Sequence, residues 1–135
     1  MYLDSMVFLL PILHERSVEM VKECEDYLFR VVEGKRDATT ATLTWDEVAF
    51  GVRRILGEEL SRQKATTLLE TANLRWRSVD RGVVRRAVQI YGSIPIRPRD
   101  ALHAAAALES GEVEIASEDE VFDRVRGLRR VWPPR

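Results

Sequence analysis

Cysteine is nearly absent from the sequence, and this scarcity excludes two kinds of site. Cys24 is the single cysteine, so the chain can form neither an internal disulfide nor a cysteine-based zinc cluster. So little cysteine is typical of a reducing compartment, and we expect a cytoplasmic protein. The length of 135 residues matches one ordinary domain, so we assign residues 1–135 to a single domain.

Long hydrophobic runs are also missing. The apolar stretch Met6–Leu13 has eight residues and contains Pro11. A helix that spans a bilayer needs about 20 apolar residues, and a secretory signal needs a basic start and a cleavage site of small residues. We therefore expect no membrane partner and predict that this stretch belongs to the core.

The sequence has no strong excess of charge of either sign. Its formal net charge is −1, so the chain as a whole has no electrostatic preference for nucleic acid, and any such preference must be local. Three of the 21 basic residues are lysine and the other 18 are arginine. Arginine suits phosphate and carboxylate partners, although GC-rich codon usage gives the same bias.

Strand-like and helix-like patterns alternate along the chain. We predict strands at residues 1–4, 38–42, 74–79, 113–117 and 130–132. Helical patterns lie between them, capped in our prediction by Ser5, by Thr44 in a capping box with Glu47, and by Asp80. Strands separated by helices need crossover connections, which predicts an α/β fold with a mainly parallel sheet of about four to five strands.

Acidic residues stand where such a sheet binds ligands, beyond the carboxyl ends of its strands. Asp4 ends the first predicted strand, and Asp119 follows the fourth. Asp100 and Glu47 lie in predicted first helical turns, where the helix dipole favours negative charge. Each acid alone has a structural explanation as a cap, an ion-pair partner or a solvated loop residue. Asp4 is the exception, because it interrupts an apolar passage where a buried carboxylate needs a partner.

Four segments together resemble the PIN-domain family and, within it, the VapC toxins. They are Asp4-Ser5 after the first strand, residues 44–47 ending in Glu47, residues 99–105 around Asp100, and residues 115–122 around Asp119. The spacing and the total length are similar, and the resemblance covers essentially the whole chain. It implies a PIN-like three-layer α/β/α fold and a toxin ribonuclease that hydrolyses RNA phosphodiester bonds.

The resemblance also implies a metal site and partners. Asp4, Glu47, Asp100 and Asp119 would be the catalytic residues and would bind Mg²⁺ or Mn²⁺, which prefer such hard oxygen ligands. Ser5, Ser117 and Asp123 are candidates for supporting these ligands. The implied partners are an RNA substrate, a second copy of the chain in a homodimer, and a small antitoxin protein. Apolar residues within 2–13 and 49–56 are candidates for the protein contacts.

Several arginines lie near the candidate acids in sequence, and such side chains bind phosphates without reading bases. They are Arg97, Arg99, Arg124, Arg126, Arg129 and Arg130. We take Arg97, Arg99 and Arg124 as the candidate RNA contacts.

The sequence leaves some alternatives open. Asp46 adjoins Glu47 and competes with it as the second acid. His103, three residues after Asp100, we expect to pack in the core rather than bind metal. An aspartate-based phosphatase also has an acid at the end of its first strand, but it normally needs a second acid two residues later, where this chain has Met6. A non-catalytic PIN-like module that binds RNA or protein is the remaining alternative.

Overall fold

Five short strands form one parallel sheet in the computed structural model, which describes residues 1–135. The strand order is β3-β2-β1-β4-β5, and every neighbouring pair is parallel. The strands are β1 (Tyr2–Leu3), β2 (Ala38–Ala41), β3 (Leu74–Arg77), β4 (Glu114–Ala116) and β5 (Arg129–Val131). The helices are α1 (Ser5–Leu13), α2 (Val18–Val32), α3 (Thr42–Leu56), α4 (Glu58–Leu69), α5 (Arg81–Tyr91) and α6 (Pro98–Glu109), with a 3-10 helix at Glu120–Arg124. The predicted α/β fold is confirmed.

Two cores lie on opposite faces of the sheet, because successive strand residues point to opposite sides. Tyr2 and Ile115 belong to the core under α5 and α6. Leu3 and Ala116, the next residues along the same strands, belong to the core under α1 to α4. This alternation gives the three layers, and most of the stretch from Tyr2 to Leu13 is buried in them. The prediction that Met6–Leu13 belongs to the core is confirmed for Val7, Phe8, Leu9 and Leu10, whereas Met6, Pro11, Ile12 and Leu13 are only partly buried.

Helix α6 packs closely against the sheet because its buried face is almost entirely alanine. Its fully or nearly fully buried residues include Ala101, Ala104, Ala105, Ala106 and Ala107. Pro98 is at the first helical position, where its missing N–H costs no hydrogen bond.

The caps of two helices differ from the prediction. Asp4, not Ser5, is the N-cap of α1, and its carboxylate accepts a hydrogen bond of 2.7 Å from the Ser5 backbone N–H. Helix α3 begins at Thr42 directly after β2 and has no side-chain cap. Thr44 is buried inside α3, where its hydroxyl lies 2.7 Å from that of Thr40. The predicted capping box was therefore wrong, and Glu47 lies in the second turn of the helix.

Strand β3 ends at Arg77, earlier than the predicted range of 74–79. The buried face of α2 includes Cys24 and Tyr27, whereas Val18 at its start is 80% exposed. None of the helices combines the length and apolar character that crossing a membrane requires.

Candidate metal centre

The candidate site lies where the strand order reverses. From β1 the chain adds β2 and β3 on one side of the sheet and later adds β4 and β5 on the other. The backbone N–H of Asp4 donates to the Ala116 carbonyl across 3.1 Å, which joins the ends of β1 and β4. The carboxyl ends of parallel strands form a ligand-binding crevice at such a reversal.

All four predicted acids line one cavity in this crevice. The cavity has a volume of about 430 Å³ and is lined by Asp4, Ser5, Met6, Glu47, Arg97, Asp100, Ser117, Glu118 and Asp119. The acids come from the ends of β1 and β4, from α3 and from the first turn of α6. The structure thus brings together side chains that are far apart in sequence.

Asp4 is buried, and hydrogen bonds offset the cost of burying its charge. One carboxylate oxygen accepts from the Ser5 N–H at 2.7 Å. The other accepts from the Ser117 hydroxyl at 2.6 Å, and that hydroxyl in turn accepts from the Asp119 N–H at 3.1 Å. Ser117 therefore links two of the four acids.

Glu47, rather than Asp46, is the acid of α3 that faces the cavity. Its Oε2 accepts a hydrogen bond of 3.0 Å from the Ser5 hydroxyl, and its Oε1 contacts the Nε2 atom of His103. The Asp46 side chain is 61% exposed and lies 3.8 Å from Arg99. Burial raises the pKa of Glu47, but the hydrogen bonds and charge of His103 outweigh this effect and hold its pKa below the usual value.

Asp100 and Asp119 share a single arginine. The Arg97 Nε donates to Asp100 at 2.8 Å, and its Nη2 donates to Asp119 at 2.7 Å. Burial, together with the nearby charges of Asp119 and Asp4, raises the pKa of Asp100 despite Arg97. The ion pair with Arg97 therefore does not fully offset the burial of the Asp100 carboxylate.

His103 has a more specific environment than the core packing that we predicted. It is 1% exposed, and its Nδ1 lies 2.7 Å from the Tyr2 hydroxyl. Its Nε2 contacts Glu47 and lies 3.6 Å from Asp4. Burial lowers its pKa, but Glu47 and Asp4 raise it by more, and the net shift is upward. Its position three residues after Asp100 was a sequence signal for this location, because that spacing keeps side chains near one helical face.

The structure does not bring every predicted residue to the cavity. Asp123 instead binds the Arg130 guanidinium at 3.1 and 3.0 Å. Arg124 lines a separate cavity between α5, α6 and the 3-10 helix, together with Arg126. Of the candidate RNA contacts, Arg97 and Arg99 remain near the acids, and both border an adjoining cavity with Glu47 and Asp100.

The chemistry of the donor set fits a hard divalent cation. All four carboxylates face one cavity, and an oxygen of Asp4 lies within 4.8 Å of an oxygen of Glu47, with the His103 ring beside both. Carboxylate oxygens are preferred by Mg²⁺ and Mn²⁺. In this structure the cationic guanidinium of Arg97 stands beside two of these carboxylates.

A family model described as PIN domain matches residues 1–128 of the chain. The chain belongs to the PIN-domain family. A comparison with curated protein sequences gave no match.

Solved structures with the same fold include toxin–antitoxin proteins. A chain of the DNA-bound VapBC complex from Salmonella typhimurium has a TM-score of 0.72 at 18% identity, with 96% of this PIN domain and 95% of that chain covered. DNA-bound VapBC2 from Rickettsia felis also has a TM-score of 0.72, at 13% identity and with 96% of each chain covered. VapC20 of Mycobacterium tuberculosis, a sarcin–ricin loop cleaving toxin, has a TM-score of 0.66 at 12% identity, covering 84% of this domain and 85% of that chain. At sequence identities of 12–18%, the similarity between this chain and these three structures is a similarity of fold alone.

Proposed function

We propose that this PIN domain is a Mg²⁺- or Mn²⁺-dependent endoribonuclease and the toxin of a VapBC-type pair. The observation that carries the proposal is the convergence of Asp4, Glu47, Asp100 and Asp119 on one cavity. Family membership supports a nuclease, and the VapBC and VapC structural relatives support the toxin assignment.

The four acids would hold the cation, and other residues would fix their orientation. A bound divalent ion would polarise the scissile phosphate and assist the attack of water. Ser117 and the Ser5 N–H hold the Asp4 carboxylate in one orientation, and the Ser5 hydroxyl does the same for Glu47. Asp119 accepts a hydrogen bond from the Val121 N–H with its Oδ1. Its other oxygen, Oδ2, accepts from Arg97.

Arg97 and Arg99 would bind the RNA backbone beside the acids. Arg97 is 76% exposed and Arg99 is 59% exposed, so both guanidinium groups are accessible to phosphates. Asp100 and Asp119 would hold the cation in place of the Arg97 guanidinium, and Arg97 would then turn toward a phosphate. Such contacts position RNA and carry no base specificity.

An antitoxin and a second copy of the chain are the proposed protein partners. Several structural relatives were solved as toxin–antitoxin complexes. Exposed apolar side chains that would serve such contacts occur on α3 and α4, at Trp45, Phe50 and Leu69. Phe50 lies within the segment 49–56 that the sequence favoured for this role.

Cleavage of structured RNA tests the proposed function. The substrates are a sarcin–ricin loop oligonucleotide and a pool of folded RNA, each with Mg²⁺, Mn²⁺ or EDTA. We expect cleavage only with metal. We expect Asp4→Asn and Asp100→Asn to lower the rate roughly 100-fold or more, because each removes a ligand from a site that contributes several kcal/mol. Asp46→Asn is the matched control and should cleave like wild type.

Two results would contradict this function. Equal trace activity in wild type, Asp4→Asn and Asp100→Asn would point to a contaminating nuclease and a non-catalytic module. A phosphorylated Asp4 trapped from a phosphate ester would support the aspartate-based phosphatase instead.

A further inference from the structure

A buried line of hydrogen-bonding groups runs from the first strand to the acid cluster. The Tyr2 hydroxyl lies 2.7 Å from Nδ1 of His103, and Nε2 of His103 contacts Oε1 of Glu47. Tyr2 is fully buried and His103 is 1% exposed. The three residues come from β1, α6 and α3, so the line joins both helical layers at the end of the sheet.

Both ring nitrogens of His103 are engaged in this line, Nδ1 with the Tyr2 hydroxyl and Nε2 with Glu47. The His103 ring does not line the cavity of the four acids, whereas Glu47 does. His103 therefore acts on that cavity through Glu47.

We propose that His103 is a positioning residue that orients the Glu47 carboxylate for cation binding, and that Tyr2 fixes the His103 ring. This inference rests on the proposed function, because it assigns Glu47 to the metal site. Glu47 reaches the cavity from the second turn of α3, and its only two hydrogen-bond partners are His103 and Ser5. Without His103, one of its oxygens loses its donor and the carboxylate gains rotational freedom.

The structure favours positioning over a purely packing role for His103. The alanines around it on α6 already form a close-packed apolar face, and an apolar side chain would complete that face. A buried histidine and a buried tyrosine that are hydrogen-bonded to each other and to an acid form a satisfied polar network, which fixes geometry. Groups of this kind behind metal ligands typically affect metal affinity.

Mn²⁺ calorimetry well below the melting temperature tests the proposal on folded protein. His103→Leu removes the donor at similar volume, and we expect it to weaken Mn²⁺ binding roughly 10- to 100-fold. His103→Gln has an amide N–H at about the reach of Nε2, and we expect it to restore part of the affinity. Tyr2→Phe retains the His103 donor and should weaken binding by less than His103→Leu does. Tyr27→Phe, at a buried tyrosine of α2 in the other core, is the control and should bind like wild type.

A destabilised His103→Leu protein would not obscure the result. The double variant Tyr2→Phe/His103→Leu leaves no buried hydroxyl without a partner, and Tyr2→Phe alone preserves the shape of the site. A structural role would lower the melting temperature of these variants and leave the affinity of the folded protein unchanged, which would overturn the proposal.

Pulsed electron paramagnetic resonance of bound Mn²⁺ supplies a second readout. A positioning His103 predicts no hyperfine coupling from a directly bound imidazole nitrogen in wild type. A strong coupling that disappears in His103→Leu would make His103 a ligand and overturn the proposal. If wild type binds no Mn²⁺ and Asp100→Asn behaves identically, the proposed function itself fails. If wild type binds and the His103 variants bind equally well, only the present inference fails.

Discussion

Asp4 and Asp100 carry similar charges in very different surroundings. Asp4 accepts hydrogen bonds from a backbone N–H and from the buried Ser117 hydroxyl. Asp100 depends on the exposed Arg97, and burial together with neighbouring acids raises its pKa. Burial and, to a smaller extent, the neighbouring acids therefore disfavour the ionised form of Asp100, and a cation or an arginine offsets both effects.

Replacing Arg97 tests this balance at the scale of one residue. Arg97→Gln removes the ion pairs to Asp100 and Asp119, each worth less than about 1 kcal/mol because the guanidinium is exposed. Without metal, we expect a slightly lower melting temperature. With Mn²⁺ we expect a larger rise than in wild type, because the cation no longer competes with a guanidinium. Thermal melts with EDTA and with Mn²⁺ measure both effects.

Arg62→Gln is the matched control, because the exposed Arg62 pairs with Glu58 on α4 and does not line the acid cavity. Its melting behaviour should follow that of wild type in both conditions. An Arg97→Gln protein with an unchanged response to Mn²⁺ would mean that Arg97 does not compete for the site.

At the scale of elements, strand ends were easier to predict than helix starts. Asp4 and Asp119 follow hydrophobic strands, and the carboxyl ends of parallel strands must share one edge of the sheet. The start of α3 depended on where β2 ends, which sequence patterns locate poorly. Ala41 leads directly into the helix, so Thr44 became a core residue and Glu47 turned toward the cavity from the second turn. The sequence singled out Glu47 through a capping box that the structure lacks, and its role as a metal ligand stays a prediction.

Ser117 connects the loop after β4 to the end of β1, because its hydroxyl donates to Asp4 and accepts from the Asp119 N–H. Ser117→Ala removes the bond to Asp4 and leaves the Asp119 N–H without its acceptor in a partly buried position. We expect a loss of about 1–3 kcal/mol in the free energy of unfolding, measured by urea denaturation, together with weaker Mn²⁺ binding. Ser93→Ala, which removes an exposed hydroxyl bond at the end of α5, should cost less and leave Mn²⁺ binding unchanged. Equal losses in both variants would contradict the linking role of Ser117.

At the scale of the whole molecule, the parallel fold was predictable, whereas long-range polar pairing was not. Alternating strands and helices leave few arrangements for a sheet. The contact of His103 with Glu47 joins residues 56 positions apart, and the pairing of Arg130 with Asp123 depends on how the last strand lies. Neither contact follows from a local sequence pattern. For the same reason, the sequence did not show that Arg124 lies away from the acids.

Acid stability is a property of the whole fold, and Glu112 is one contributor to it. Burial raises the pKa of Glu112, but the Thr39 hydroxyl and positive partners that include Arg75 hold it below the usual value. A lowered folded-state pKa stabilises the protein above the ordinary glutamate pKa of about 4.3, and this contribution is lost as the pH falls through the folded-state value. We therefore expect wild type to melt higher than Glu112→Gln at pH 7, with the difference shrinking in acid.

Glu109→Gln controls for the loss of a negative charge, because Glu109 is exposed and makes no ion pair. Its melting temperature should differ little from that of wild type across the same pH series. A Glu112→Gln difference that is constant from neutral to acidic pH would contradict the assignment.

The central claim is that the four acids at the ends of β1 and β4, on α3 and on α6 form a divalent-cation site. Locating Mn²⁺ by anomalous diffraction from crystals grown or soaked with it tests the claim most directly. We predict an anomalous peak within coordination distance of the Asp4 and Asp100 carboxylates, with Arg97 displaced, and no such peak in Asp100→Asn crystals. An empty cavity in wild-type crystals at saturating Mn²⁺, with Arg97 still bound to Asp100 and Asp119, would contradict it.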